Sequence, residues 1–174
     1  AGIWSAMLDL SKNYMAFSTI LFTMYVIPKF AVVHGRLQFL KEMGIVYRTI
    51  LPIFGLGMIG VYFCRGFIID LIFPGFDAMS SLFKWQLVGD FIRLIGMVMS
   101  YYFIARKLVY YFVITEILSV GLFYVFAHYF IGQYGVEGVV IGHMIRYVVY
   151  VVVVFLMVWY YVSRQAKEKV RNDE

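Results

Sequence analysis

Charge is what this sequence has least of. Only 14% of its 174 residues are Asp, Glu, Lys or Arg, while 63% are hydrophobic. A soluble domain carries roughly a quarter of its residues as charges, so a water-facing globular fold is excluded. Cysteine is nearly absent too. The single Cys64 rules out an internal disulfide and a thiolate metal cluster. The three histidines, His34, His128 and His143, are too scattered to suggest a zinc site. No internal repeat, low-complexity segment or long polar linker divides the chain, and no nucleic-acid partner is expected.

Long apolar runs are present instead. About 20 apolar residues cross the ~30 Å hydrocarbon core of a bilayer. Five segments meet that length, at about 4–27, 45–69, 84–106, 108–131 and 139–162. The fold class expected is all-α, a polytopic transmembrane helix bundle over 1–163, with a charged tail at 164–174. The first span has no basic leader and no small-residue cleavage site, so it is not a signal peptide. A chain that starts at Ala1, just before a helix, is expected to be a piece of something longer.

Basic residues set the orientation. Lys29, Arg36, Lys41 and Arg48 follow span 1, Arg106 and Lys107 separate spans 3 and 4, and Arg164, Lys167, Lys169 and Arg171 occupy the tail. The opposite connections, 70–83 and 132–138, hold Asp70, Asp77 and Glu137 but no Lys or Arg. Cytoplasmic loops are the basic ones, so the C-terminus is expected in the cytoplasm. The stretch 30–44 reads equally as a short amphipathic helix along the headgroups or as a plain loop. In span 2, Pro52 removes a backbone hydrogen bond and Gly55, Gly57 and Gly60 follow it. Pro52 and Gly55 are a candidate hinge, with close helix packing around small residues the alternative.

Some charges lie too deep to reach water. With 1.5 Å of rise per residue, Arg93 sits about 14 Å below the outer start of span 3, and Arg146 and Lys12 about 10–12 Å below theirs. Glu116 lies about 12 Å above the inner end of span 4. On span 3, Gln86, Asp90, Arg93, Met97 and Ser100 share one helical face. His143, Arg146, Tyr147 and Tyr150 form a second stripe, and Thr115, Glu116 and Ser119 a third. A charge at the centre of a membrane helix costs about 2.5–3.5 kcal/mol and commonly marks a substrate or ion path. Lys12, Asp90, Arg93, His143 and Arg146 are therefore the substrate-path candidates. Asp90, three residues before Arg93, is expected to pair with it.

Three segments carry a family resemblance. "AGIWSAMLDLSKNYMAFSTILFTMYVIPKF" (1–30) resembles the helix of Wzx-type polysaccharide flippases that opens on Gly-Ile-Trp and leaves through Tyr-x-x-Pro, here Tyr25 to Pro28. "MSSLFKWQLVGDFIRLIGMVMSYYFIARK" (79–107) is similar to the family's "LFxWQLVGD" segment, and "ITEILSVGLFYVFAHYFI" (114–131) to its following helix. The resemblance is closest to the branch of lipid III and O-antigen flippases, in the multidrug/oligosaccharidyl-lipid/polysaccharide superfamily. It implies the last five helices of a twelve-helix, two-bundle transporter in the bacterial inner membrane, working by alternating access. The implied cargo is an undecaprenyl-pyrophosphate-linked oligosaccharide. No organic cofactor is implied, and a coupling ion, proton or sodium, is allowed. Missing helices of the same protein, the bilayer and polysaccharide polymerase machinery are the implied partners.

On that resemblance Arg93 and Arg146 would bind phosphate, since a planar guanidinium forms paired hydrogen bonds. Lys12 would add a point charge, and Asp90 would hold Arg93 in place. Glu116 is a candidate protonatable coupling group, because burial favours the neutral carboxyl. Two alternatives remain open. A multidrug cation antiporter of the same superfamily would line its cavity with acids. A membrane polymerase or ligase would need a large outer loop, and the connection at 70–83 is short.

Overall fold

The computed structural model describes residues 2–33 and 35–172, with side chains for all of these but 77 and 166–172. The described chain is all helical, a polytopic bundle with five helices long and apolar enough to span a membrane. The first span joins three pieces: α1 (Gly2–Leu21), a π-helical turn (Phe22–Val26) and α2 (Ile27–Ala31). Ile27 N–H reaches back to Phe22 O, one residue further than in an α-helix. The wide turn stands just before Pro28, which has no N–H to continue the regular ladder.

The second span is α3 (Arg36–Phe63), which starts at Arg36 rather than near 45. The expected loop or headgroup helix at 30–44 is thus mostly the first turns of a spanning helix. Only a short break precedes it, ending at Gly35 with φ +87°, a left-handed backbone suited to glycine. His34 lies outside the described residues. The helix continues past Pro52 without interruption and ends at Cys64. A short α4 (Arg65–Ile72) and a 3-10 turn (Asp77–Ser81) lead to α5 (Phe83–Ala105). A tight turn at Lys107, with φ +59°, opens α6 (Val109–Tyr134), and Gly135, also at φ +59°, separates it from α7 (Val136–Asn172). The expected tail from 164 begins inside α7, and its side chains from 166 lie outside the described residues.

Helix α5 is the hub. It packs along α7 and also meets α3 and the first span; α6 packs along α7 and touches α5. Glycines set the closest approaches. A Cβ on Gly89 would stand 3.1 Å from Met144 Cα, and one on Gly96 would stand 2.8 Å from the Tyr150 ring. On α7, a Cβ on Gly142 would stand 2.8 Å from Ala127 N, and one on Gly138 would collide with the Phe130 carbonyl. Small residues replace apolar burial as the source of helix contact, because lipid solvates apolar side chains as well as the protein does. Gly57 and Gly60, which suggested close packing from the sequence, face open space.

One end of the bundle gathers aromatic rings and basic groups. Tyr102 lies 4.7 Å from Phe39, 6.0 Å from Phe30 and 6.4 Å from Tyr161, centroid to centroid. Nearby, Arg36 stacks 3.8 Å over the Trp159 ring, Lys29 pairs with Glu42 at 3.3 Å, and Arg106 donates to Ala31 O at 3.3 Å. At the other end, Trp85 Nε1 donates to Glu137 at 2.8 Å and Arg65 to Ser80 at 3.2 Å. Between the two ends the outer surface is apolar, with Met24, Leu56, Ile117 and Val120 all exposed, as a lipid-facing wall requires.

Candidate substrate site

The polar residues of the spans meet where α1, α5, α6 and α7 face one another. Asp90 of α5 is fully buried. Its carboxylate accepts from Ser11 Oγ at 2.6 Å, from the Tyr14 hydroxyl, and from Gln86 Nε2 at 3.0 Å. His143 Nε2 of α7 lies 3.0 Å from its other oxygen. An ionised carboxylate only accepts, so Nε2 carries the proton in that contact. Gln86 Nε2 also lies 3.3 Å from His143 Nε2, while Gln86 Oε1 is buried with no partner. One carboxylate thereby ties α1 and α7 to α5.

The expected Asp90–Arg93 pair does not form. Four donors from three helices already occupy the carboxylate, and Arg93 turns one face further round α5. Its guanidinium lies 5.6 Å from the centre of the Tyr147 ring and has no ion-pair partner among the described residues. Arg146 approaches the same ring at 4.3 Å, donates to the Tyr147 hydroxyl at 2.6 Å and lies 4.8 Å from the Phe123 ring. Its Nε is buried and has no partner. Two guanidiniums from two helices thus share one tyrosine, each held by the ring's electron-rich face and neither neutralised by a carboxylate.

Arg93 opens into a cavity of about 210 Å³, lined also by Ser100, Tyr101, Glu116, Tyr147 and Tyr150. Glu116 accepts from the Tyr150 hydroxyl at 2.8 Å. It is exposed in this chain, so the burial that made it a coupling candidate is not found. Lys12 stands apart from this cavity. It pairs with Asp9 at 3.0 Å, and the two side chains are 70% and 60% exposed. Pro52 is exposed on α3, and Gly55 faces the Phe91 ring, 3.4 Å from where its Cβ would be. Gly55, Met58, Lys84, Leu87 and Phe91 border a larger void of about 530 Å³. That void is apolar and lies on the opposite face of α5 from Arg93, so it takes no part in the polar site.

The structure therefore brings together Asp90 with His143, and Arg93 with Arg146 and Glu116. The span-3 and span-5 stripes pointed to this meeting. Ser11 and Tyr14 did not stand out, although Met7, Ser11, Met15 and Ser18 repeat at helical spacing and are all buried. That repeat places Ser11 on the inward face of α1.

No family model matches the chain, and no solved structure matches it. Over 150 residues, 86% of its length, the chain is 31% identical to proteins named Lipid III flippase from Escherichia coli (strain K12) and Shigella flexneri. The aligned part is 36% of each relative, so the chain spans about a third of the length of the curated relatives it matches. The similarity bears out the resemblance to Wzx-type lipid-linked oligosaccharide flippases drawn from the three sequence segments, in a multi-pass membrane protein.

Proposed function

We propose that this chain is part of a flippase that moves an undecaprenyl-pyrophosphate-linked oligosaccharide across the bacterial inner membrane. It would supply the last five helices of a two-bundle transporter, with its C-terminus in the cytoplasm, and act as a transporter rather than a catalyst. The observation that carries this reading is the pair of guanidiniums, Arg93 and Arg146, meeting at Tyr147 beside a polar cavity with no carboxylate on either. A pyrophosphate offers the oxygens that such donors lack, and Arg binds them in a fork. Substrate arriving at Arg93 would sit within reach of Ser100, Tyr101 and Tyr150 for its sugar hydroxyls.

A cation antiporter fits the site less well. Among the described residues Asp90 is the one fully buried carboxylate, and four donors occupy it, while Arg93 and Arg146 have no ion-pair partner there. In the transport cycle α3 is the helix with room to move. It lacks the Pro52 hydrogen bond and has the large apolar void beside Gly55. The partners in this reading are the lipid-linked glycan, the bilayer, the other helices of the transporter and the polymerase machinery that receives the delivered glycan.

The test is complementation of a flippase-deficient strain by the full-length protein. Arg93→Ala and Arg146→Ala should each abolish surface polysaccharide at normal protein abundance. Arg93→Lys should rescue only in part, because an ammonium keeps the charge and loses the fork. Full activity in the double variant Arg93→Gln with Arg146→Gln would overturn the assignment.

A further inference from the structure

We propose that the apolar void between α3 and α5 binds one acyl chain of an anionic phospholipid, whose headgroup phosphate is held at Lys84 and Arg65. The site is separate from the arginine pair and takes a different ligand from the transported glycan.

Two facing stripes form the void. Each helix presents a contact face at i, i+3, i+4 and i+7, running from Gly55 to Tyr62 on α3 and from Lys84 to Phe91 on α5. Such faces ordinarily interlock. Here they meet at one end, where a Cβ on Gly55 would stand 3.4 Å from the Phe91 ring, and they enclose about 530 Å³. Between Phe91 and Lys84 the wall runs about 10 Å along α5. Ile59, Phe63 and Val88 line the void and are themselves exposed, so it opens sideways onto the apolar outer wall. An apolar space holds no water, and bare walls lose the contacts that a packed interior makes. In a bilayer the chain of a neighbouring lipid supplies them. An acyl chain also yields as α3 shifts, so its presence keeps the freedom that a filling side chain would remove.

The charges at the open end select the headgroup. Lys84 is the one charged residue lining the void, and its ammonium lies 4.7 Å over the Trp85 ring. Tyr62 lines the same end, and Arg65 lies 4.4 Å over its ring. Arg65 Nε donates to Ser80 at 3.2 Å and Nη1 to the Tyr62 carbonyl at 2.9 Å. Those bonds fix the guanidinium and leave Nη2 without a hydrogen-bond partner among the described residues. Neither cation has an ion-pair partner among the described residues. Glu137, at this end of the bundle, accepts from Trp85 instead. A phosphodiester supplies the anion that both groups lack, and a guanidinium and an ammonium are each suited to its oxygens. Phosphatidylcholine carries its own cation beside the phosphate, so an anionic headgroup such as that of phosphatidylglycerol is favoured.

The experiment uses the full-length protein with Cys64, next to Phe63 at the open side, as its sole cysteine and carrying a fluorophore. It is placed in phosphatidylcholine nanodiscs with a rising fraction of phosphatidylglycerol bearing a nitroxide on one chain. Quenching should saturate at a fraction about tenfold below that needed with nitroxide-bearing phosphatidylcholine, as two basic groups near one anion allow. Lys84→Gln with Arg65→Gln should bring the two lipids together, and Lys84→Gln alone should do so in part. Ile59→Trp, which fills the groove from an exposed position, should remove the saturable component for both lipids at an unchanged thermal midpoint. Lys41→Gln, exposed at the opposite end of the bundle, should change nothing. Quenching that follows the bulk lipid fraction in the wild type, equal affinity for the two headgroups, or an unchanged curve in Ile59→Trp would each overturn the proposal. Displacement of the quencher by undecaprenyl phosphate at a much lower mole fraction would assign the groove to a prenyl tail, and would overturn it too. All of these results leave the complementation test of Arg93 and Arg146 standing on its own.

Discussion

Helices α5 and α6 follow one another in the chain, and both are apolar enough to cross a membrane. Yet 61% of the apolar stretch of α5 is buried, against 11% of that of α6. Apolar content does not separate them, since lipid and protein interior solvate a leucine alike. What separates them is the small and polar residues. Helix α5 carries Gly89 and Gly96, where α7 comes close, and Gln86, Asp90 and Ser100, all buried. Helix α6 keeps only Thr115 and Ser119 buried and leaves Tyr124, Val120 and Ile117 exposed in this bundle. In this bundle a helix is central because it has atoms that lipid cannot serve.

The largest expected effect breaks the α6–α7 seam. Gly142→Val places a Cβ 2.8 Å from Ala127 N and 2.9 Å from the Phe126 carbonyl carbon. Backbone atoms cannot step aside, so the helices must part. Overpacking of this kind costs about 1–3 kcal/mol or more, and α6 has little other burial to hold it. Folded protein recovered in detergent should fall severely, with α6 becoming open to protease. Normal recovery would mean that α6 is held by something other than this contact.

Next comes the polar anchor of α5. Asp90→Leu is nearly isosteric and suits lipid, yet it strands the Ser11, Tyr14, Gln86 and His143 donors. An unsatisfied buried donor costs about 1–3 kcal/mol, so the thermal midpoint should drop well below that of Asp90→Asn, which keeps one acceptor. If the leucine variant is the more stable of the two, apolar packing and not the carboxylate unites α1, α5 and α7. A smaller effect is expected at Tyr150→Phe. The ring still fills the space over Gly96, and only the 2.8 Å bond to Glu116 is lost. A loss of about 0.5–1.5 kcal/mol follows for a hydrogen bond of this kind, read as a modest fall in thermal midpoint.

The sequence made the architecture legible because a bilayer imposes length. Twenty apolar residues read as a span whatever they pack against, so five spans could be counted. The start of α3 was harder to see. Arg36, Lys41 and Glu42 look like loop residues, and only the structure shows that Arg36 stacks on Trp159 and Glu42 pairs with Lys29. The site was half legible for a similar reason. Helical periodicity put Asp90 and Arg93 near one face, but pairing depends on which groups other helices present. Ser11, Tyr14 and His143 outcompete the nearer arginine for Asp90, and spacing within one helix carries no record of that. Glu116 shows the same limit, since depth along the membrane normal says nothing about exposure at the bundle's side.

The smallest expected effect tests the contrast between the two sides of α5. Gly89 lies on the α7 side and Gly57 on α3, across the apolar void. At Gly89 a Cβ would meet His143 Cδ2 at 2.9 Å and Met144 Cα at 3.1 Å, whereas at Gly57 it would meet nothing within 4 Å. Glycine inside a helix is less favourable than alanine by roughly 0.5–1 kcal/mol, and that gain is available only where space exists. Gly57→Ala should therefore leave transport unchanged and raise the thermal midpoint slightly. Gly89→Ala should lower the midpoint and disturb the Asp90–His143 contact, because His143 is one of the atoms pushed. If both alanines destabilise equally, α3 is held as tightly as α7. The void beside Gly55 would then give α3 no freedom, and the helix would lose its role as the moving part.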